Sequence, residues 1–254
     1  MTDKQDKLVR RLETRFWLGA AAVAPLAPLL FIQGKVARWK IGLLPDAAEP
    51  NSGVAGEGEE TSLLVIGEST VAGLGASTQE LALAGRFAHH LSRQIERRVS
   101  WDAVGRAGVT ARRTINELLP LIPRSDYEYI LIAVAGNDVI KLSPPTRFRR
   151  DMLELIDRLR ENSPASRIFM ANCPMIKYAW AVPPPSRQLL WQLSQMHDQN
   201  AREFTKLREN VHYFPQPVVV REEGFFSDGV HPSEQGYDDW AAGMIQYFAE
   251  NVEW

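Results

Sequence analysis

Cysteine is almost missing from this chain: Cys173 is the only one in 254 residues. A single thiol excludes an intrachain disulfide and leaves the redox compartment open. Charge of either sign is not in excess, with a net charge of -2 and an isoelectric point of about 6.2. No basic field therefore directs the chain to nucleic acid. A Gly-x-Gly-x-x-Gly fingerprint and a phosphate loop are both lacking, and no His/Cys spacing resembles a zinc site. The chain reads as one that needs neither metal nor cofactor. Internal repeats and low-complexity segments are also missing. What is present is 45% hydrophobic and 24% charged residues, enough to bury a sizeable core in one α/β domain.

One stretch lacks charge altogether. Residues 1 to 15 carry five basic side chains (Lys4, Lys7, Arg10, Arg11, Arg15) and three acidic ones, and the 17 residues from Phe16 to Ile32 that follow have none. That length is at the lower limit for crossing a bilayer, and Pro25 and Pro28 interrupt a straight helix. No small-x-small cleavage pair follows, since Gln33-Gly34-Lys35 comes next, so no removed signal peptide is expected. Lys35, Arg38 and Lys40 balance the basic residues on the near side, and the charge bias selects no orientation. Residues 1–40 are thus expected to form a membrane anchor, spanning or interfacial. The alternative is a helix packed on the domain that follows, in a soluble cytoplasmic protein. Residues 41–61, with Pro45, Pro50, Gly53, Gly56 and the acidic run Glu57-Gly58-Glu59-Glu60, read as a linker, leaving 62–254 as the domain.

Within that domain apolar runs alternate with helical patterns. Ser62-Leu63-Leu64-Val65-Ile66-Gly67 suits a strand buried on both faces, and Glu68-Ser69-Thr70 follows where it ends. A helix is predicted near 79–98, a strand over 99–104, a helix over 110–119 and a strand over 129–134. A helix over 148–159, a strand over 168–171, a helix around 190–204, a strand over 211–214 and a closing helix over 237–248 complete the pattern. Five strands interleaved with helices imply a doubly wound, three-layer α/β/α fold with a parallel sheet.

Three groups of residues sit at strand ends or in turns. Ser69, at the carboxyl end of the first strand, is placed to be a nucleophile, or else caps the next helix. Asp228 and His231 lie three residues apart, close enough for the carboxylate to fix the Nδ1–H tautomer and leave Nε2 as a base. Pro232 is expected to open the following helix. In Gly136-Asn137-Asp138, Asn137 is either a turn former or an NH2 donor aimed at a developing negative oxygen. Gly108 offers an unobstructed N–H. His197 and His212 read as core or strand residues, and His89 and His90 as solvated ones. The other serine-hydrolase elbow, Gly-x-Ser-x-Gly, is excluded by Val71.

Taken in order, Gly67-Glu68-Ser69, Gly108, Gly136-Asn137-Asp138 and Asp228-Gly229-Val230-His231-Pro232 resemble the four blocks of the SGNH hydrolases, the GDSL esterase/lipase family. The resemblance spans roughly 61–250. It implies a flavodoxin-like, five-stranded parallel sheet and a serine hydrolase acting on carboxylic esters. Ser69 is then nucleophile, His231 base and acid, and Asp228 its orienter, with the Ser69 and Gly108 N–H groups and the Asn137 side chain forming the oxyanion hole. Glu68 stands where the family usually has Asp, and is expected to be a variant without direct contact to the chemistry. Esterase or lysophospholipase-type lipase activity is the leading expectation. A thioesterase or carbohydrate O-deacetylase would use the same residues, and an inactive, membrane-tethered binding domain is the reading from another class. The loop Pro174 to Arg187, with Tyr178 and Trp180, and the pair Phe225 and Phe226 are candidate pocket walls.

Overall fold

The computed structural model describes residues 3–41, 44–217 and 223–253. Two helices lead the chain: α1 (Asp3–Val23) passes through one 3-10 turn at Ala24–Leu26 into α2 (Ala27–Ile41). Pro25, which has no amide hydrogen to donate, sits in that turn. The remaining elements are β1 (Ser52–Ala55), β2 (Glu60–Gly67), α3 (Leu83–Ile95), β3 (Arg98–Gly105), α4 (Ala111–Glu117), β4 (Tyr129–Ala133) and α5 (Gly136–Ile140). After them come α6 (Pro145–Asn162), β5 (Arg167–Met170), α7 (Ser186–Phe204), β6 (Val211–Tyr213) and α8 (Glu234–Asn251).

The sheet order is β1-β3-β2-β4-β5-β6. β3, β2, β4, β5 and β6 are parallel, which are the five strands expected, and their order reverses about β2. Alternation along β2 divides the core. Leu63 and Val65 join Phe87, Leu91 and Phe248 under α3 and α8, while Leu64 and Ile66 join Ile115, Phe148, Leu155 and Phe204 under α4, α6 and α7. Burial of each such side chain is worth roughly 1.5–3 kcal/mol, so the strand ends form a firm platform. The crevice where strand order reverses lies at the carboxyl ends of β2 and β4, where an open α/β sheet binds its ligand.

The segment expected to be a linker contributes a sixth strand. β1 runs antiparallel to β3, pairing Gly53 with Trp101, and a Cβ on Gly53 would lie 2.5 Å from the Trp101 ring. Its burial alternates only between exposed and intermediate, so it carries no apolar periodicity for a sequence reading to find.

The N-terminal rod is packed on the domain at both of its ends. Val9 and Leu12 are buried, and Leu8, Leu12 and Phe16 pack with Val139, Ile176, Leu193, Met196 and Val230. Glu13 accepts from the Thr146 N–H and hydroxyl at 2.9 and 2.8 Å, at the start of α6. Further along, Gln33 accepts from the Ser186 hydroxyl at 2.7 Å and donates to the Pro184 carbonyl at 2.7 Å. Between these two attachments the rod is bare: Trp17, Leu18, Phe31 and Ile32 are all more than half exposed. Gln5–Trp39 is long and apolar enough to cross a membrane.

Candidate active site

β2 ends at Gly67, where a Cβ would lie 2.1 Å from the Ala133 carbonyl of β4, so only glycine allows the two strands to stay this close. The chain then turns. The Glu68 carbonyl accepts from Val71 and Ala72 N–H at 2.9 and 3.0 Å, and Ser69, 8% exposed, stands at the head of this turn.

Glu68, expected to be a variant without direct contact to the chemistry, touches neither Ser69 Oγ nor His231 but binds the segment that carries Asn137. Its buried Oε1 accepts from Ala135 N–H (3.2 Å) and Gly136 N–H (2.6 Å). Its Oε2 accepts from Asn137 N–H at 2.8 Å and from the Asn137 side-chain Nδ2. Gly136 has no Cβ because one would sit 2.8 Å from that carboxylate. Burial pushes the Glu68 carboxyl above its ordinary value, against the N–H donors of Asn137, Gly136 and Ala135, which favour the ionised form. The Asn137 amide spends one hydrogen on Glu68 and keeps the other.

Asp228 and His231 are joined directly. Asp228 Oδ2 lies 2.7 Å from His231 Nδ1, and Oδ1 accepts from Val230 N–H and His231 N–H at 2.9 and 2.7 Å. Gly229 adopts φ +87°, which this tight turn requires, and a Cβ there would strike Trp180 at 2.7 Å. Burial alone would raise the Asp228 carboxyl, but the hydrogen bonds from the His231 ring and backbone and from Val230 together hold it below its usual value. Pro232 does not open the next helix: Ser233 caps it, its hydroxyl accepting from Gly236 N–H at 3.0 Å. Pro232 instead bridges to Phe226 and closes the loop on itself.

Gly108 adopts φ +80°, and a Cβ there would meet nothing within 4 Å. Lys141 donates to its carbonyl at 2.6 Å, and the buried Asp138 accepts from Ala111 N–H at 2.8 Å and from the Ser143 hydroxyl at 2.9 Å. These bonds tie the segment around Asn137 to the one around Gly108. Burial pushes the Asp138 carboxyl up to about 6. Lys141 carried no sequence signal, whereas Asp138 stood in plain view within its Gly-Asn-Asp block. Among the described residues, the Ser69 and Gly108 N–H groups have no acceptor.

The serine and histidine segments are stitched together. Ser77 N–H and its hydroxyl donate to Glu234 at 2.9 and 2.6 Å, Tyr237 donates to the Leu74 carbonyl at 2.7 Å, and a Cβ on Gly75 would lie 2.2 Å from the Pro232 carbonyl. Ser69 and His231 themselves make no direct hydrogen bond in this structure. The other histidines stand apart. His197 is buried against Phe148, ring centroids 4.2 Å apart, and burial depresses it to about 3. His212 lies in β6. His90, expected to be solvated, pairs with Asp238 at 3.0 Å. Of the candidate pocket walls, Trp180 touches the histidine turn at Gly229, and Phe225 and Phe226 pack edge-to-face at 4.9 Å beside it. Among the described residues no cluster of three or more His, Cys, Asp or Glu could hold a metal ion.

The sequence matches a model of the GDSL-like lipase/acylhydrolase family over residues 65–238. The chain belongs to that family. It is accordingly a carboxylic ester hydrolase. Solved structures agree on the fold. A lipase from a goat rumen metagenome superposes with a TM-score of 0.58 at 18% identity, covering 74% of this chain and 97% of that one. The extracellular lipase of Streptomyces rimosus gives 0.52 at 12% identity over 74% and 99%. A family 3 carbohydrate esterase from Clostridium thermocellum gives 0.54 at 17% identity over 76% and 96%. No curated protein sequence matches the chain. Within the family match, Ser69, Gly108, Asn137, Asp228 and His231 all fall inside the matched span.

Proposed function

We propose that this GDSL-family hydrolase cleaves esters through Ser69, His231 and Asp228. The observation that carries the reading is the two-point grip of Asp228 on His231, which fixes the Nδ1–H tautomer and leaves Nε2 as the base. His231 takes the Ser69 proton as Oγ attacks the ester carbonyl. The resulting oxyanion is held by the Ser69 and Gly108 N–H groups and the free Asn137 amide hydrogen. Collapse expels the alcohol, which takes the proton from His231, and leaves an acyl-serine. Water, deprotonated by His231, then attacks the acyl carbon and releases the carboxylic acid and Ser69. A direct Ser69–His231 hydrogen bond is not needed before substrate arrives, since such bonds commonly tighten only in the complex.

The substrate class in this proposal is a lipid ester met at a membrane surface, supported by the bare apolar flank of the N-terminal rod beside the folded domain. A fluorophosphonate probe should label wild type and spare Ser69→Ala, and Ser69→Ala should lose at least about 10³-fold in p-nitrophenyl ester hydrolysis. Labelling of the alanine variant would overturn the nucleophile. A panel of p-nitrophenyl esters of rising chain length, with a thioester and an acetylated sugar beside it, should favour the longer esters. Preference for the acetylated sugar would move the reading to O-deacetylation.

A further inference from the structure

The rod and α7 line a cavity of about 470 Å³ whose walls include none of Ser69, Gly108, Asn137, Asp228 and His231. Arg15, Lys177, Trp191, Asp198, Gln199 and Arg202 are among its walls. Its charge is unbalanced. Both Asp198 oxygens are engaged, one accepting from the Tyr213 hydroxyl and Gln216 N–H at 2.8 Å each and the other from Arg202 at 2.7 Å. Arg202 is thereby neutralised. Among the described residues Arg15 and Lys177 have no carboxylate partner, and Lys177 is propped against the rings of Tyr178 and Trp191, 4.5 and 5.4 Å from their centroids. Two uncompensated cations on a wall with side-chain amides suit a phosphate group.

The position of Arg15 says where such a phosphate would come from. It is the last charged residue before the uncharged run, and Leu18 and Ala22 follow it at the three- and four-residue spacing that keeps side chains on one face of a helix. Leu18 is 67% exposed, and Leu29 and Ile32 are 44% and 59% exposed further along the rod. Because Glu13 and Gln33 hold the rod against α6 and the start of α7, its exposed apolar residues are fixed beside the domain, as a segment lying in a membrane interface requires. We infer that the cavity beside Arg15 binds the phosphate headgroup of an anionic lipid in a bilayer on which the rod lies. This rests on the membrane-surface reading above, and names the lipid chemistry that reading leaves open.

Flotation of the full-length protein with vesicles tests it. Vesicles of phosphatidylcholine alone report the apolar side of the rod, and vesicles containing phosphatidylglycerol add the phosphate-bearing anion. Wild type should bind both, and the anionic ones at least tenfold more tightly. Arg15→Gln/Lys177→Gln should lose that gain by roughly tenfold while binding to neutral vesicles and hydrolysis of a soluble ester stay unchanged. Arg10→Gln/Arg11→Gln removes the same charge from exposed positions outside the cavity and should cost under about threefold. Equal losses from the two pairs would mean diffuse attraction and would overturn the site. Calorimetric binding of soluble glycerol 3-phosphate without any gain on anionic vesicles would overturn the lipid source. Binding to neither vesicle would instead sink the membrane reading on which the site depends.

Discussion

Glu68→Gln isolates the most unusual feature of this site. The carboxylate accepts two N–H groups on each oxygen. A glutamine amide has one carbonyl oxygen, so in either orientation its NH2 faces two N–H donors. Hydrogen bonds to a charged group are worth about 1.5–3 kcal/mol each, and at least two are lost, so the variant should be destabilised by about 3 kcal/mol or more. Its effect on rate runs through Asn137, whose side chain loses the partner that orients it. Loss of one oxyanion donor costs roughly 10²-fold in kcat, with KM little changed because the donor acts on charge that develops in the transition state. Steady-state hydrolysis of p-nitrophenyl acetate and urea unfolding followed by circular dichroism give the two numbers separately. A purely structural Glu68 would lower stability and leave the kcat of the folded enzyme alone. If it acts through Asn137, Glu68→Gln/Asn137→Ala should be no slower than Asn137→Ala by itself. A folded Glu68→Gln enzyme with wild-type kcat would refute the reasoning.

Three further expectations follow from the same geometry. Asp228→Asn should lower kcat about 10³- to 10⁴-fold, because the amide cannot hold the His231 tautomer; a loss under tenfold in the same ester assay would remove Asp228 from its role. Asp138 titrates near 6 in the folded protein against an ordinary 3.8, so the folded state binds its proton more tightly and stability falls as pH rises from 4 to 6. The displacement of about two pH units amounts to about 3 kcal/mol, and Asp138→Asn should flatten the urea midpoint across this window; parallel profiles would show that another group sets the slope. Leu12→Ala should loosen α1 by about 2–4 kcal/mol, seen as faster proteolysis within residues 3–41 while the sheet stays protected, and unchanged cleavage would refute the docking.

The parallel strands and the blocks at their ends were legible because both leave short-range patterns. Leu63 to Ile66 is buried on both faces and therefore reads as an unbroken apolar run, and Asp228 and His231 meet through a local turn. β1 was hidden because an edge strand of small residues has no periodicity; its pairing depends on Trp101, 48 residues from Gly53. The role of Glu68 was hidden for a related reason. Its partners lie 67 to 69 residues away, and nothing near position 68 says that one carboxylate meets three successive backbone N–H groups and the Asn137 side chain.

The N-terminal segment, whose packing on the domain was one of two readings left open, had its stripe present in the letters. Leu8, Leu12 and Phe16 recur at four-residue spacing, which places them on one face of a helix, but Arg10, Arg11, Glu13 and Arg15 between them give the stretch the composition of a solvated basic flank. Composition describes the whole circumference of a helix, whereas packing depends on one side. Here that side is covered by Val139 and Val230, which stand two residues after Asn137 and immediately before His231. A cut at residue 40, placed where composition suggests the domain begins, would take Leu8, Leu12 and Phe16 away from both valines and weaken the packing of the segments that carry Asn137 and His231. One helix thus carries both an apolar flank left bare at Trp17 and Leu18 and, on its other side, the contacts that brace the segments of Asn137 and His231.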